Sequence, residues 1–389
     1  MARPLLFDRV AEQQAERARA SLVRRLRTVD AAHGAYVTIG GRQLLNFASN
    51  DYLGLSQHAA LREALTDAAS RWGVGATAAQ LLGGRRDEHA ALEEALARWT
   101  GRERALLFSD GWAANLGTIA ALLDRKDVCV QDKLNHASLL DAARLADCEL
   151  KRYRHADVDS ARRQLESVTD AAAILATDGV FSMDGDIAPL RDLAALCREQ
   201  HATLMVDDAH GFGVLGPDGA GSVAEAALTQ DDAPILMATL GKALGVAGAF
   251  VAGSATLIDA LVQNARTFIY ATAIPPPLVA AARAAIDVAR FETWRRDRLV
   301  RLIAHFRSIA AARRLALLPS PTPIQPLVIG ASDAALAVAA KLEDAGFYVP
   351  AIRPPTVPDG KARLRITLTA LHSESDVERL ADAIAEALG

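Results

Sequence analysis

Short apolar runs that alternate along this chain with alanine-rich stretches of helical spacing constrain its fold more than any other feature. Helical stretches at 59–72, 89–100 and 115–123 are separated by ALLF at 105–108 and DVCV at 127–130. Two later runs, AAILATD at 172–178 and TLMVDDAH at 203–210, are short, apolar and closed by polar residues, the pattern of strands buried on both faces. Strands alternating with helices pair in parallel, so the expected fold is α/β. In open sheets of this kind ligands collect at the carboxyl ends of strands, which makes Asp178, Asp207, Asp208 and His210 site candidates from position alone.

The same periodicities divide the chain in three. Residues 10–27 alternate charged and apolar positions at helical spacing, and Gly34 and Gly40-Gly41 mark turns before a short strand ending near Phe47, so 1–48 read as an N-terminal arm. The repeating strand–helix pattern occupies 49–277. Prolines at 275–277 forbid continuous helix and are expected to hinge this large domain to 278–389. There a helical tract over 278–317, the segment QPLVIG, a helix at 333–345 and ARLRITLTA read as an α+β end domain.

Composition excludes several functions. A chain of 389 residues that is 51% hydrophobic and 23% charged is a globular protein of more than one unit, not a disordered scaffold. Lys plus Arg at 43 against Asp plus Glu at 47 gives a net charge of −4, so no global field draws it to nucleic acid or to an anionic membrane. No run approaches the roughly 20 apolar residues of a membrane helix. Small-molecule partners are favoured. The run Arg24, Arg25, Arg27 is the kind usually found on a solvated helix face. Cys129, Cys148 and Cys197 are odd in number and widely spaced, which suits neither a disulfide framework nor a metal site and points to a reducing compartment. Pro4 and Asp8 interrupt the opening residues where a secretory signal needs an apolar core, so a cytoplasmic location is expected.

The chemistry centres on Lys242, which is the one charged residue in MATLGKALGVAGAFV at 237–251. Most lysines are solvated surface groups. One buried in an uncharged setting loses affinity for its proton, and a neutral amine is what imine chemistry requires. Asp207 ends a buried strand, where a carboxylate serves as a turn former or as partner to a positive group; Asp208 faces the other side of the strand. FSDGWAANLGTI at 108–119 reads as a turn and then a helix whose first amides, at Gly111 and Trp112, suit an anion, although glycine before a helix is common. His136 in DKLNHASLLDAA precedes a helix, where capping is the default role.

Together the motifs resemble the α-oxoamine synthases, fold type I pyridoxal phosphate enzymes that condense an amino acid with an acyl thioester. The carriers, in chain order, are NFASNDYLGL at 46–55, FSDGWAAN at 108–115, DKLNHASLLDAA at 132–143, TDGVFSMDGDIAPL at 177–190, VDDAHGFGVLG at 206–216 and TLGKALGVAGAF at 239–250. The resemblance implies a large domain with a mostly parallel seven-stranded sheet and a smaller α+β terminal domain. It assigns Lys242 to an imine with pyridoxal 5'-phosphate and Asp207 to the pyridine nitrogen, where a carboxylate keeps that nitrogen protonated. His210 is expected at the ring's 3-hydroxyl and His136 on the ring face. Ser182 and Thr239 are implied cofactor contacts, with the Gly111 and Trp112 amides near the bound ligand. Thr272 is expected at the phosphate of a neighbouring subunit, because members of the family are similar in forming homodimers with sites at the interface. Arg353 looks like the clamp for the amino acid's carboxylate, with Thr356 nearby and Asn50 and Arg24 along the substrate path.

The string IRPPTVPDGKARLRITLTA at 352–370 is similar to the branch of the family that uses L-alanine and a pimeloyl thioester. Whether the acyl carrier is coenzyme A or acyl carrier protein is left open. The other readings are a sibling that uses glycine and another acyl thioester, and a non-catalytic partner subunit of the same fold, which would be expected to lack Lys242. Two departures stand out: GATAA at 75–79 where the family reads close to GSGGS, and Asp178 where many relatives have glutamate.

Overall fold

Helical spacing over 10–27 becomes a helix at Leu6–Arg19, exposed along its length and closed eight residues before the pattern ends. The closure is a Schellman turn: Ser21 takes a φ of 56°, its N–H bonds Ala18 O at 3.2 Å, and the Leu22 N–H reaches back to Arg17 O at 2.8 Å. The computed structural model describes Arg3 and residues 5–389, so Pro4 lies outside the described residues. These form two units, one of 50–182 with 186–298, the other of the described residues up to 49 with 183–185 and 299–389.

In the smaller unit, strands β1 (Ala31–His33), β2 (Tyr36–Ile39) and β3 (Arg42–Asn46) form an antiparallel meander. Gly40 and Gly41, at φ 58° and 75°, make the two-residue turn between β2 and β3. Positive φ at both positions is the geometry that matches the strand twist, and glycine supplies it without a steric penalty.

The larger unit is built on β4 (Arg104–Phe108), β5 (Val128–Asp132), β6 (Glu149–Tyr153), β7 (Ala173–Asp178), β8 (Thr203–Asp207), β9 (Ile235–Thr239) and β10 (Ala249–Gly253). Their order is β4-β10-β9-β8-β7-β5-β6, parallel except for β10, which is antiparallel to both neighbours. The mostly parallel seven-stranded sheet is thus as expected. Its inner strands are largely apolar because both faces are covered: Cys129, Ile174, Met205 and Met237 pack into one core, and Val130, Leu175, Leu204 and Leu236 into the other.

The prolines at 275–277 lie inside the larger unit rather than at its end. Pro276 and Pro277 open the helix Pro276–Phe291, where the missing N–H groups would have no intrahelical partner in any case, and the larger unit runs on to Arg298. The tract over 278–317 is two helices, since Glu292 at ψ 62° separates Pro276–Phe291 from Trp294–Ala312.

The rest of the smaller unit follows as β11 (Ile324–Gly330), β12 (Phe347–Tyr348), β13 (Ala351–Ile352) and β14 (Ala362–Thr367), with helices Ser332–Asp344 and Glu374–Leu388. β14 is the centre of an antiparallel trio with β11 and β13. β12 pairs in parallel with β3, so residues of the N-terminal arm belong to the same body as the chain's last ninety or so residues. Among the described residues no helix is long and apolar enough to cross a membrane.

Candidate active site

Four strands of the larger unit deliver their carboxyl ends to one cavity of about 200 Å³, lined by Asp178 from the end of β7, Asp207 from β8, Thr239 from β9 and His136 from the turn after β5. Lys242 reaches it from the β9–β10 connection, and Gly111 and Trp112 from the helix that follows β4. That helix, Gly111–Leu122, starts where Asp110 accepts the Ala113 N–H at 2.8 Å, and its first-turn amides and dipole favour an anion.

Lys242 Nζ lies 2.8 Å from His210 Nε2, and His210 Nδ1 is 2.6 Å from the hydroxyl of buried Tyr52. Asp207 is buried and its oxygens take an N–H from Asn115 Nδ2 at 2.7 Å and from the Ala209 amide at 3.1 Å. Asp208 is turned away as expected and accepts the Ser222 N–H at 2.7 Å. Burial pushes its carboxyl up to about 7. The backbone closes tightly over it: a Cβ on Gly221, at φ 105°, would sit 2.0 Å from Asp208 Oδ2.

Asp178 accepts the His136 N–H at 3.3 Å, and burial, reinforced by Asp207, raises its carboxyl well above the usual range. Burial also lowers the proton affinity of His136; Asp207 opposes that and Lys242 adds to it. The His136 ring meets Trp112 edge-on at 5.7 Å.

The turn carrying His136 is pinned from beneath. Asn135 donates to Ala176 O at 2.7 Å and accepts the Asp178 N–H at 3.1 Å. Next to it, His155 is held between Asp132 at 3.1 Å and Asp186 at 2.9 Å. Burial works against its charge, but the two carboxylates outweigh burial and raise His155 to about 10. A histidine with an unfolded value near 6.5 that is raised on folding contributes stability fully below about pH 6.5 and loses it as pH climbs through the folded value. His155→Gln is expected to flatten that decline in denaturant midpoints measured from about pH 7 to 10; an unchanged slope would count against the pairing.

Of the residues singled out in the sequence, Lys242, Asp207, His210, His136, Gly111, Trp112, Ser182 and Thr239 line the one cavity. Thr272 instead forms a backbone bridge with Ala79, and the Asn50 side chain accepts from the Tyr52 hydroxyl at 3.3 Å. Arg24, Arg353 and Thr356 belong to the smaller unit. There the Arg353 guanidinium bonds the carbonyls of Ser21 and Val23, and Thr356 N–H bonds Arg353 O at 3.1 Å. Of the clustered arginines, Arg27 makes a two-pronged pair with Glu343 at 2.5 and 2.9 Å, while Arg24 is exposed. Asn115, Ser138 and Tyr52 were not singled out, although each lies inside or beside a quoted motif; their contacts join residues far apart in the chain. A larger cavity of about 460 Å³ beside β4 has charged walls already paired, as Arg85 is with Glu93 at 2.5 Å.

The cavity's donor set fits pyridoxal phosphate. It has one amine for the aldehyde carbon, a buried carboxylate for the pyridine nitrogen, an imidazole beside the amine and a helix start for the phosphate.

The family described as aminotransferase class I and II matches residues 42–384. The chain is 53% identical over 388 residues to the 8-amino-7-oxononanoate synthase of Xanthomonas euvesicatoria pv. vesicatoria (strain 85-10), covering 100% of this chain and 97% of that one. A solved serine palmitoyltransferase from S. paucimobilis, with a bound PLP–myriocin aldimine, superposes with a TM-score of 0.93 at 26% identity, over 99% of this chain and 98% of that one. The 8-amino-7-oxononanoate synthase of Francisella tularensis does so with a TM-score of 0.78 at 30% identity, over 89% and 98%. With these matches and a cavity furnished for the cofactor, the chain belongs to the class I and II aminotransferase family, as a fold type I enzyme that takes pyridoxal phosphate.

Proposed function

We propose that this chain is an acyltransferase that condenses L-alanine with a pimeloyl thioester, releasing CO₂ and the free thiol and forming 8-amino-7-oxononanoate for biotin biosynthesis. The observation that carries the reading is the Lys242–His210 pair in one cavity with Asp207, in a chain 53% identical end to end to a synthase of that name.

When bound, pyridoxal phosphate supplies a protonated pyridine ring that takes up the electron pair left on an amino acid's α-carbon. Asp207 holds the proton at the ring nitrogen. Lys242 Nζ is the amine that would hold the cofactor's aldehyde carbon and would serve as general base for the amino acid's α-proton. His210, tied to Tyr52, keeps that amine aimed and serves the ring hydroxyl. His136 would lie against the ring face, with Ser182, Thr239 and the Gly111 and Trp112 amides as further contacts. Arg353 would bind the alanine carboxylate and so orient the substrate, with Thr356, Asn50 and Arg24 on the substrate path. The enzyme works as a cytoplasmic homodimer with shared sites, Thr272 serving the phosphate of its partner copy, and accepts its acyl group from coenzyme A or acyl carrier protein.

The test is an absorbance titration of the cofactor-loaded protein with L-alanine and then glycine, followed by pimeloyl-CoA and assay of 8-amino-7-oxononanoate and CO₂. A band that moves with alanine, with product formed, supports the reading. A response to glycine alone assigns a sibling reaction instead, and a protein that takes up no cofactor ends the proposal.

A further inference from the structure

Four polar side chains in the wall of the cavity form one hydrogen-bonded chain whose direction is fixed by counting hydrogens. His136 Nδ1 lies 2.7 Å from Ser138 Oγ, Ser138 Oγ 2.8 Å from Asn115 Nδ2, and Asn115 Nδ2 2.7 Å from Asp207 Oδ2. A carboxylate only accepts, so one amide hydrogen of Asn115 goes to Asp207 and the other to Ser138 Oγ. The single Ser138 hydroxyl hydrogen is then left for His136 Nδ1. That nitrogen also accepts the backbone N–H of Ser138 at 3.3 Å, because His136 caps the helix Ala137–Ala146. With two donors aimed at it, Nδ1 carries no proton. The ring is neutral, with its hydrogen on Nε2. Burial of the imidazole favours the same state.

Asn115 and Ser138 are both fully buried, so no water stands in for either link. We infer that Asn115 and Ser138 are positioning residues that hold His136 as the Nε2–H tautomer and clamp one oxygen of Asp207, coupling the group on the cofactor's face to the group at its ring nitrogen. The inference rests on the reading of this cavity as the cofactor site. Neither residue touches the reacting atoms; both act through others.

Two variants test it, Ser138→Ala and Asn115→Ala, with Ser138→Thr as the variant that keeps the hydroxyl. In protein labelled with ¹⁵N-histidine, with and without pyridoxal phosphate, wild-type His136 is expected to show a bare Nδ1 and a protonated Nε2 across neutral pH. Ser138→Ala should raise the pH at which His136 becomes charged, and Ser138→Thr should restore it. Asn115→Ala should weaken cofactor binding roughly tenfold, the size of one hydrogen bond to a charged group, with the absorbance–pH profile of the bound cofactor displaced from wild type. A wild-type proton on Nδ1, or variants whose His136 titration and cofactor profile match wild type, overturns the inference and leaves the reading of the site standing. A wild type that takes up no cofactor overturns both together.

Discussion

Replacing Lys242 with alanine is expected to abolish condensation. No other lysine lines the cavity among the described residues, so on the proposed function the substitution removes both the group that would carry the cofactor and the base that would move the α-proton. A positioned general base alone is worth about 10²–10⁴ in rate, and the loss of the covalent attachment adds to that. The fold should survive, because Lys242 is only partly buried and sits in a connection between strands. The measurement is thiol release from pimeloyl-CoA with L-alanine, alongside a circular dichroism spectrum showing a folded protein. Turnover within about tenfold of wild type would remove Lys242 from the chemistry.

Asp207→Asn should have the second-largest effect. The asparagine keeps the shape of the side chain but cannot hold a proton on a pyridine nitrogen by charge, and Asp207 is only 5% exposed, so water does little to replace that charge. The new amide would also have one acceptor where the carboxylate has two, and both Asn115 Nδ2 and the Ala209 amide now depend on those oxygens. A drop in kcat of about 100-fold or more is expected, by analogy with the loss of one preorganised electrostatic contact to developing charge, with cofactor still taken up through Lys242. A variant with kcat near wild type would show that charge at this position does not drive the reaction.

These expectations were legible in the sequence to different depths. Short apolar runs closed by polar residues mark β7 to within a residue and the start of β8, whose strand ends at Asp207 three residues before its run does, because a strand buried on both faces has no polar face to interrupt it. The glycine pair at 40–41 marked its hairpin because φ is positive at both positions. Lys242 stood out because fourteen uncharged neighbours surround it. By contrast, helical spacing continues to residue 27 although the helix ends at Arg19, since a serine in the left-handed region closes it and no local pattern announces that. The prolines at 275–277 look like an interruption in sequence but stand at a helix start, Pro275 as its N-cap, as proline suits the first turn as well as it breaks an interior.

What the sequence determined by itself, then, is what short-range forces encode: the period of the apolar residues, hence the α/β class, and the chemical character of the groups at strand ends. What only the tertiary structure decided is partnership across the chain. β10 entered the sheet antiparallel between β4 and β9, and β3 found β12 about 300 residues later. Asn115 reached Asp207 across a separation of 92 residues. Such pairings are chosen by which faces remain to be buried and which donors remain unsatisfied once the layers have packed, and those quantities have no value until the chain has folded.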